Sequence, residues 1–239
     1  MPSVFPAIMP IQIGKTNIYA IQDRGGTMLI DAATPGQGKR IMRALEKKGI
    51  SPEDIKLIVI THVHYDHVGS LAEFLRALPS PCAVAVHDNE AALLRDGKSV
   101  LPAGTSTFGR MMMNFLTRLA RPFPGLIRFE PVSPDVLITR ETFLNPFGIS
   151  GRILPTPGHT AGSLTVILEN GAAFAGDLAV NYYPWGGPIF PPVADDVPLL
   201  MKSWQALLAQ PVKMIYPGHG RPFDVARLRR AYEKRMSIR

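Results

Sequence analysis

Apolar positions along this chain alternate between two periods, and the alternation itself predicts a mixed architecture. Ile11-Gln12-Ile13 and Asn17-Ile18-Tyr19-Ala20-Ile21 read as strands, and Gly25-Gly26 turns the chain into a third, Thr27-Met28-Leu29-Ile30-Asp31. Two hairpin-like strands at the start imply an antiparallel portion of a sheet. From Gly38 to Lys48 the period changes: Ile41 and Leu45 stand at helical spacing among charges, and Gly49 stops the helix. Ser51-Pro52-Glu53-Asp54 opens a short helical turn before Ile55-Lys56-Leu57-Ile58-Val59-Ile60-Thr61. That run is almost continuously apolar and β-branched, the mark of a strand buried on both faces.

Leu71 to Leu78 then reads as an amphipathic helix, Ala83 to Val86 as another buried strand, and His87-Asp88-Asn89-Glu90 as a helix start with acidic residues at its favourable end. Residues 97–130 break this rhythm. Gly109 to Arg121 is apolar with basic punctuation and is ended by Pro122 and Pro124. It reads first as a helix packed on the body. The second reading is a lid or pocket wall whose Met side chains and Phe115 accommodate an apolar substrate, and a helix lying on a membrane surface ranks below both. Strands resume at Arg152-Ile153-Leu154, Ser163–Leu168, Ala172–Ala175 and Val212–Tyr216, with a helix over Leu199–Ala209. No repeat and no long linker divides the chain, so 1–239 is expected to form one α/β domain carrying the 97–130 segment as an insertion.

Composition narrows the picture without changing it. Among 239 residues, 46% are hydrophobic and 19% charged, which argues against disorder. The net charge of +7 raises a nucleic-acid partner, but the basic residues are scattered apart from a C-terminal cluster (Arg221, Arg227, Arg229, Arg230, Lys234, Arg235, Arg239) that lacks interleaved aromatics. A solvated basic helix is the expectation there. The single cysteine, Cys82, rules out an intramolecular disulfide and a cysteine-based zinc cage, and its apolar neighbours mark it as a small buried hydrophobe. No window reaches the roughly 20 apolar residues of a membrane span. The first residues lack the charged and apolar regions of a signal peptide, so the expected location is the cytoplasm.

The histidines carry the chemistry. Of six, three lie in His62-Val63-His64-Tyr65-Asp66-His67 directly after a buried strand, and His159 and His219 also follow predicted strands. One carboxylate, Asp177 in Ala175-Gly176-Asp177, shares that placement. Ends of adjacent strands converge in space, so four separate loops can aim imidazole and carboxylate at one point, and these are ligands that zinc, iron and manganese accept. His62 and His64 are two apart, so an extended segment points them the same way. Packing alone explains one buried histidine but not three with an aspartate in six residues, since unpartnered buried polar groups are costly. His87 stands apart and reads as a capping or packing residue.

Thr61-His62-Val63-His64-Tyr65-Asp66-His67-Val68-Gly69 resembles the THxHxDHxG signature of the metallo-β-lactamase-fold superfamily. The match continues through Thr156-Pro157-Gly158-His159-Thr160-Ala161-Gly162-Ser163, Ala175-Gly176-Asp177 and Pro217-Gly218-His219-Gly220, in the family's order. The resemblance implies a four-layer αββα sandwich with two divalent metal ions at one edge of its sheets. His62, His64 and His159 would bind the first ion, Asp66, His67 and His219 the second, and Asp177 would bridge them. It implies zinc first, with iron or manganese as alternatives, and a hydroxide held between two ions as nucleophile. Asp66 would orient that hydroxide or take up its proton, and Thr61 and Thr160 are candidates to hold the imidazoles.

Departures within the family narrow the activity. Asp177 stands where the best-known zinc β-lactamases carry a cysteine or no bridging acid. The stretch after it lacks the Gly-Arg pattern of glyoxalase II-type enzymes and the lactonase tyrosine three residues past the aspartate, although Tyr182 and Tyr183 are close enough to contact substrate. The expectation is a hydrolase of a small ester, lactone or thioester. The alternatives are an iron-dependent oxidoreductase like the sulfur dioxygenases and a phosphodiesterase or nuclease of the same fold. The expected partner is a small-molecule substrate, neither membrane nor nucleic acid, with a homodimer left open.

Overall fold

A computed structural model describes residues 6–120, 122, 124–181 and 190–237. The first sheet holds β1 (Ala7–Ile13), β2 (Thr16–Asp23), β3 (Gly26–Ile30), β4 (Ile55–Val59), β5 (Ala83–His87) and β6 (Val136–Ile138), side by side in that order. Its first three strands are antiparallel, and β3 through β6 are parallel. The second sheet runs in the reverse spatial order, from β12 (Phe223–Asp224) through β11 (Met214–Pro217), β10 (Ala172–Gly176), β9 (Leu164–Leu168) and β8 (Gly151–Pro155) to β7 (Thr142–Phe143). Helices α1 (Gly38–Lys47), α2 (Tyr65–Val68), α3 (Leu71–Ala77), α4 (Asp88–Asp96) and α5 (Thr107–Ala120) belong to the first half, and α6 (Val197–Leu208) and α7 (Val225–Met236) to the second.

The period of two sorts each strand into two cores. Ile18, Ala20, Leu29 and Ile58 turn outward to meet Ile41 and Leu45 of α1, Phe74 of α3 and Leu94 of α4. Their neighbours Tyr19, Ile21, Met28, Ile30, Leu57 and Val59 turn inward onto Ile153, Val166, Leu168 and Phe174 of the second sheet. On its other face that sheet places Ala173, Ala175 and Ile215 under Trp204 and Leu207 of α6 and Leu228 of α7. Three apolar interfaces make four layers, the αββα sandwich expected from the sequence.

Differences from the sequence reading have local causes. β1 starts at Ala7 rather than Ile11 because Pro10 is tolerated in an edge strand, where it pairs with Tyr19. β6, β7 and β12 are two or three residues long and show no periodicity to read. His87 is the N-cap of α4, its Nδ1 accepting from Asn89 N at 3.1 Å. The basic C-terminal cluster falls largely on α7, as expected, with Arg239 outside the described residues. Cys82 is half-buried rather than sealed in the core. The helix at 97–130 differs most: Phe108, Met111, Met112, Phe115 and Leu119 of α5 are all exposed, Phe115 at 65%. Among the described residues no helix is long and apolar enough to cross a membrane.

Candidate metal centre

Five strands end at one edge of the sandwich, and each delivers a polar side chain there. Asp31 follows β3, His62 follows β4, His159 follows β8, Asp177 follows β10 and His219 follows β11. The loop after β4 also supplies His64, in extended backbone at φ −89°, and then turns into α2, which lifts Asp66 and His67. Backbone bonds lock the edge: Leu164 N donates to Thr61 O at 2.8 Å, Gly218 N to Gly176 O at 2.7 Å and Asn17 N to Gly218 O at 2.8 Å. Gly218 is required by crowding, since a Cβ there would meet His67 Cε1 at 2.6 Å and Asp177 Oδ1 at 2.7 Å.

The seven residues expected to bind metal are brought together. The ligand atoms of His62, His64 and His159 lie within 4.8 Å of one another, as do those of Asp66, His67 and His219, and those of His62, His67 and Asp177. His159 Nε2 faces His64 Nδ1 at 3.1 Å, and His67 Nε2 faces His219 Nε2 at 3.3 Å. The Asp177 carboxylate lies between the groups, its Oδ2 at 3.4 Å from His219 Nε2 and 3.8 Å from His159 Nε2, its Oδ1 at 3.6 Å from His67 Nε2.

Ring nitrogens that face away from the cluster have acceptors that fix their tautomers. His159 Nδ1 donates to Val193 O at 3.0 Å, His219 Nδ1 to Lys15 O at 2.8 Å and His67 Nδ1 to Asp31 Oδ2 at 2.8 Å. His62 Nδ1 meets Thr61 Oγ1 at 3.1 Å, and that hydroxyl bonds the Asp31 carboxylate in turn. Thr61 therefore holds an imidazole as expected. Thr160 instead bonds Ser163 Oγ at 2.9 Å and shapes the loop beside His159.

Burial and charge divide the cluster. Burial drives His62 well below its ordinary value and His64 down to about 3, with neighbouring imidazoles adding to the effect. Burial lowers His159 as well, partly offset by Asp177. Burial also opposes charge on His67, yet Asp31, Asp177 and Asp66 together raise it to about 10. His219 is raised in the same way, against burial, by Asp177 and its bond to Asp66. Burial would lift Asp66 and Asp177, but the surrounding imidazoles hold both below the usual carboxylate range. One group is thus three neutral imidazoles, and the other is two imidazoles balanced by carboxylates.

Two buried atoms test whether this set fits a cation. His62 Nε2 and Asp177 Oδ1 have no hydrogen-bond partner among the described residues, although both lie inside the cluster. An orphaned buried lone pair costs about 1–3 kcal/mol, and a metal ion satisfies both at once. The all-nitrogen and oxygen donor set suits zinc, iron and manganese alike.

Two site residues escaped sequence reasoning. Asp31, with φ +66°, accepts from Thr61 N, Thr61 Oγ1 and His67 Nδ1. Glu90, buried at the start of α4, accepts from Val63 N and from Gly162 N. Phe115 lies on α5, whose leading segment is fastened beside the cluster. Ser99 Oγ accepts from Tyr65 N at 3.1 Å, Ala194 N donates to Ala103 O at 2.8 Å, and Thr105 N to Pro192 O at 3.0 Å. Tyr182 and Tyr183 lie outside the described residues.

Comparison with known proteins agrees with this geometry. The family model described as the metallo-beta-lactamase superfamily matches residues 12–219. The chain is 30% identical to the probable metallo-hydrolase MJ0888 of Methanocaldococcus jannaschii over 214 residues, covering 87% of this chain and 84% of that protein. The solved structure of the metallo-beta-lactamase family protein TTHA1429 from Thermus thermophilus aligns with TM-score 0.67 at 22% identity, over 97% of this chain and 79% of its own. TTHA1623, solved in a di-iron-bound form, aligns with TM-score 0.65 at 24% identity, over 93% and 97%.

Proposed function

Because the chain belongs to the metallo-beta-lactamase superfamily, we propose that its cluster of five histidines and two aspartates is the two-ion centre of a hydrolase cleaving a small ester, lactone or thioester. The observation that carries this reading is the pair of orphaned atoms, His62 Nε2 and Asp177 Oδ1, buried in the His/Asp cluster with no hydrogen-bond partner among the described residues. His62, His64 and His159 would hold one ion and Asp66, His67 and His219 the other, with Asp177 reaching both. Zinc is the first assignment for both ions. Bound there, divalent ions supply Lewis acidity, lowering the pKa of water toward about 7 and polarising the scissile carbonyl.

The chain's own groups do the rest. Asp66 is ionised at neutral pH because His67 and His219 outweigh the effect of its burial, and it stays partly open to solvent. It orients the attacking water through a carboxylate oxygen and takes up its proton. Val193 O, Lys15 O and Asp31 keep the imidazoles of His159, His219 and His67 from turning as charge develops. Phe115, Tyr182 and Tyr183 are proposed contacts for the apolar part of the substrate.

A second reading is an iron-dependent oxidoreductase in which the same cluster holds iron, a metal that a structure of this fold, TTHA1623, carries in its di-iron-bound form. Metal analysis of the purified protein, combined with a panel of esters, lactones, thioesters, phosphodiesters and β-lactams and an oxygen-consumption assay on a persulfide, tests both. Two equivalents of zinc with turnover of a carboxylic ester, lactone or thioester supports the hydrolase. Iron with oxygen uptake, or turnover confined to phosphodiesters, overturns it.

A further inference from the structure

Glu90 is a buried carboxylate held by backbone amides. It is 3% exposed in the first turn of α4, and among the described residues no basic side chain bonds it. Its two oxygens instead divide between two loops. Oε2 accepts from the backbone N–H of Val63, the residue between His62 and His64. Oε1 accepts from Gly162 N at 3.3 Å, in the loop that carries His159. The contact is tight on the second side: a Cβ on Gly162 would lie 2.3 Å from Glu90 Cγ. Asn89 grips the same loop through Nδ2 donating to Ala161 O at 3.2 Å, and His87 caps the turn from which both side chains project.

We propose that Glu90 is a positioning residue for the His62, His64 and His159 group, setting the distance between its two ligand loops. The proposal rests on reading that group as a metal site. His64 and His159 are 95 positions apart in sequence, yet His159 Nε2 and His64 Nδ1 stand 3.1 Å from each other. Glu90 bonds both of their loops directly. The other group, Asp66, His67 and His219, is braced by Asp31 and Lys15 O and has no bond to Glu90 among the described residues. Asp31 reaches both halves, through His67 directly and through Thr61 to His62, whereas Glu90 bonds only the loops of the three-histidine group, so loosening Glu90 should affect one half.

Glu90→Gln keeps the shape and replaces one acceptor by an amide donor, so either Val63 N or Gly162 N faces a donor instead of an acceptor. Gly162→Ala keeps the carboxyl group but presses a methyl against Glu90 Cγ and His87 Cβ, pushing the His159 loop and the Glu90 side chain apart. Cobalt(II) binding is measured by chelator competition and by absorption spectrum for both variants and for the wild type. His64→Ala and His219→Ala proteins supply the spectra of each half alone. In both variants the ion at the three-histidine group should bind about 10- to 100-fold more weakly, the usual effect of removing a support behind metal ligands. The other ion should keep its wild-type affinity.

A brace of the general fold would weaken both ions equally or lower the melting temperature of the metal-stripped protein with no change in ion preference. Either result overturns the proposal, as does unchanged cobalt binding. A wild-type protein that takes up no cobalt overturns the metal-site reading itself and the proposal with it, which keeps the two failures apart.

Discussion

Asp31 Oδ2 accepts the Nδ1 proton of His67 at 2.8 Å, and the same carboxylate takes the Thr61 amide at 2.8 Å and the Thr61 hydroxyl at 2.9 Å. Three donors converge on one buried anion, and through Thr61 Oγ1 the anion also reaches His62. Asp31→Asn is an informative substitution because asparagine tolerates the left-handed backbone that Asp31 occupies at φ +66°. The backbone is then unstrained and only the electrostatics change: an amide N–H₂ must face one of the three donors. Metal affinity at the Asp66, His67 and His219 group is expected to fall about 10- to 100-fold, measured by chelator competition. Affinity equal to wild type would remove Asp31 from the centre.

Metal removal tests the centre as a whole. Ions that bind only the folded chain stabilise it by about 4 kcal/mol at a thousand times their dissociation constant. In a chain of this size that corresponds to a rise of roughly 8–16 °C in melting temperature. Chelator treatment should lower the calorimetric midpoint by that amount, zinc should restore it, and His62→Ala should abolish the zinc response. A midpoint indifferent to zinc would sink the metal assignment.

The His/Asp cluster was legible in the sequence because each of its residues sits in a short run with its own signal: a buried strand, a turn, then a histidine or aspartate. Asp31 and Glu90 were not legible, and for one reason. Asp31 reads as the end of a strand and Glu90 as an acid at a helix start, both ordinary placements. Their partners lie 36 and 72 positions away, so only the fold reveals the bonds. The same holds for Val193 and Lys15, which act through backbone carbonyls and leave no trace in residue type. Strands failed where they were too short for a period, as in β6, β7 and β12.

The exposed face of α5 makes a substrate contact testable. The segment leading into the helix bonds Tyr65 on one side of the cluster and Pro192 and Ala194 on the other, and Val193 between them holds His159. Phe115→Ala withdraws roughly 1–2 kcal/mol of apolar contact if the ring packs on substrate. KM for long-chain esters should rise about 5- to 30-fold, with acetate esters and metal content unaffected. A KM that is flat across the ester series would return α5 to a surface helix without a role in binding.

Cys82 offers a check on the fold away from the centre. Burial, with the nearby Asp135 carboxylate adding to it, pushes the thiol up from 9.0 to about 12. The thiolate is the reactive form, so iodoacetamide at mildly alkaline pH should label the native chain far more slowly than the urea-unfolded chain. The sign for stability follows from the same shift. Between pH 9.0 and about 12 the folded chain keeps a proton that the unfolded chain has released, so unfolding is coupled to proton loss and stability falls as pH rises through that window. Cys82→Ser has no thiol to ionise there, because a hydroxyl does not titrate in this range. The difference in urea midpoint between Cys82→Ser and wild type should therefore move in favour of the variant as pH rises from about 8.5 to about 10.5. A difference that stays constant over that interval would mean that the thiol ionises as freely in the folded chain as in the unfolded one, and that the strand edge around Ala83 is open to water.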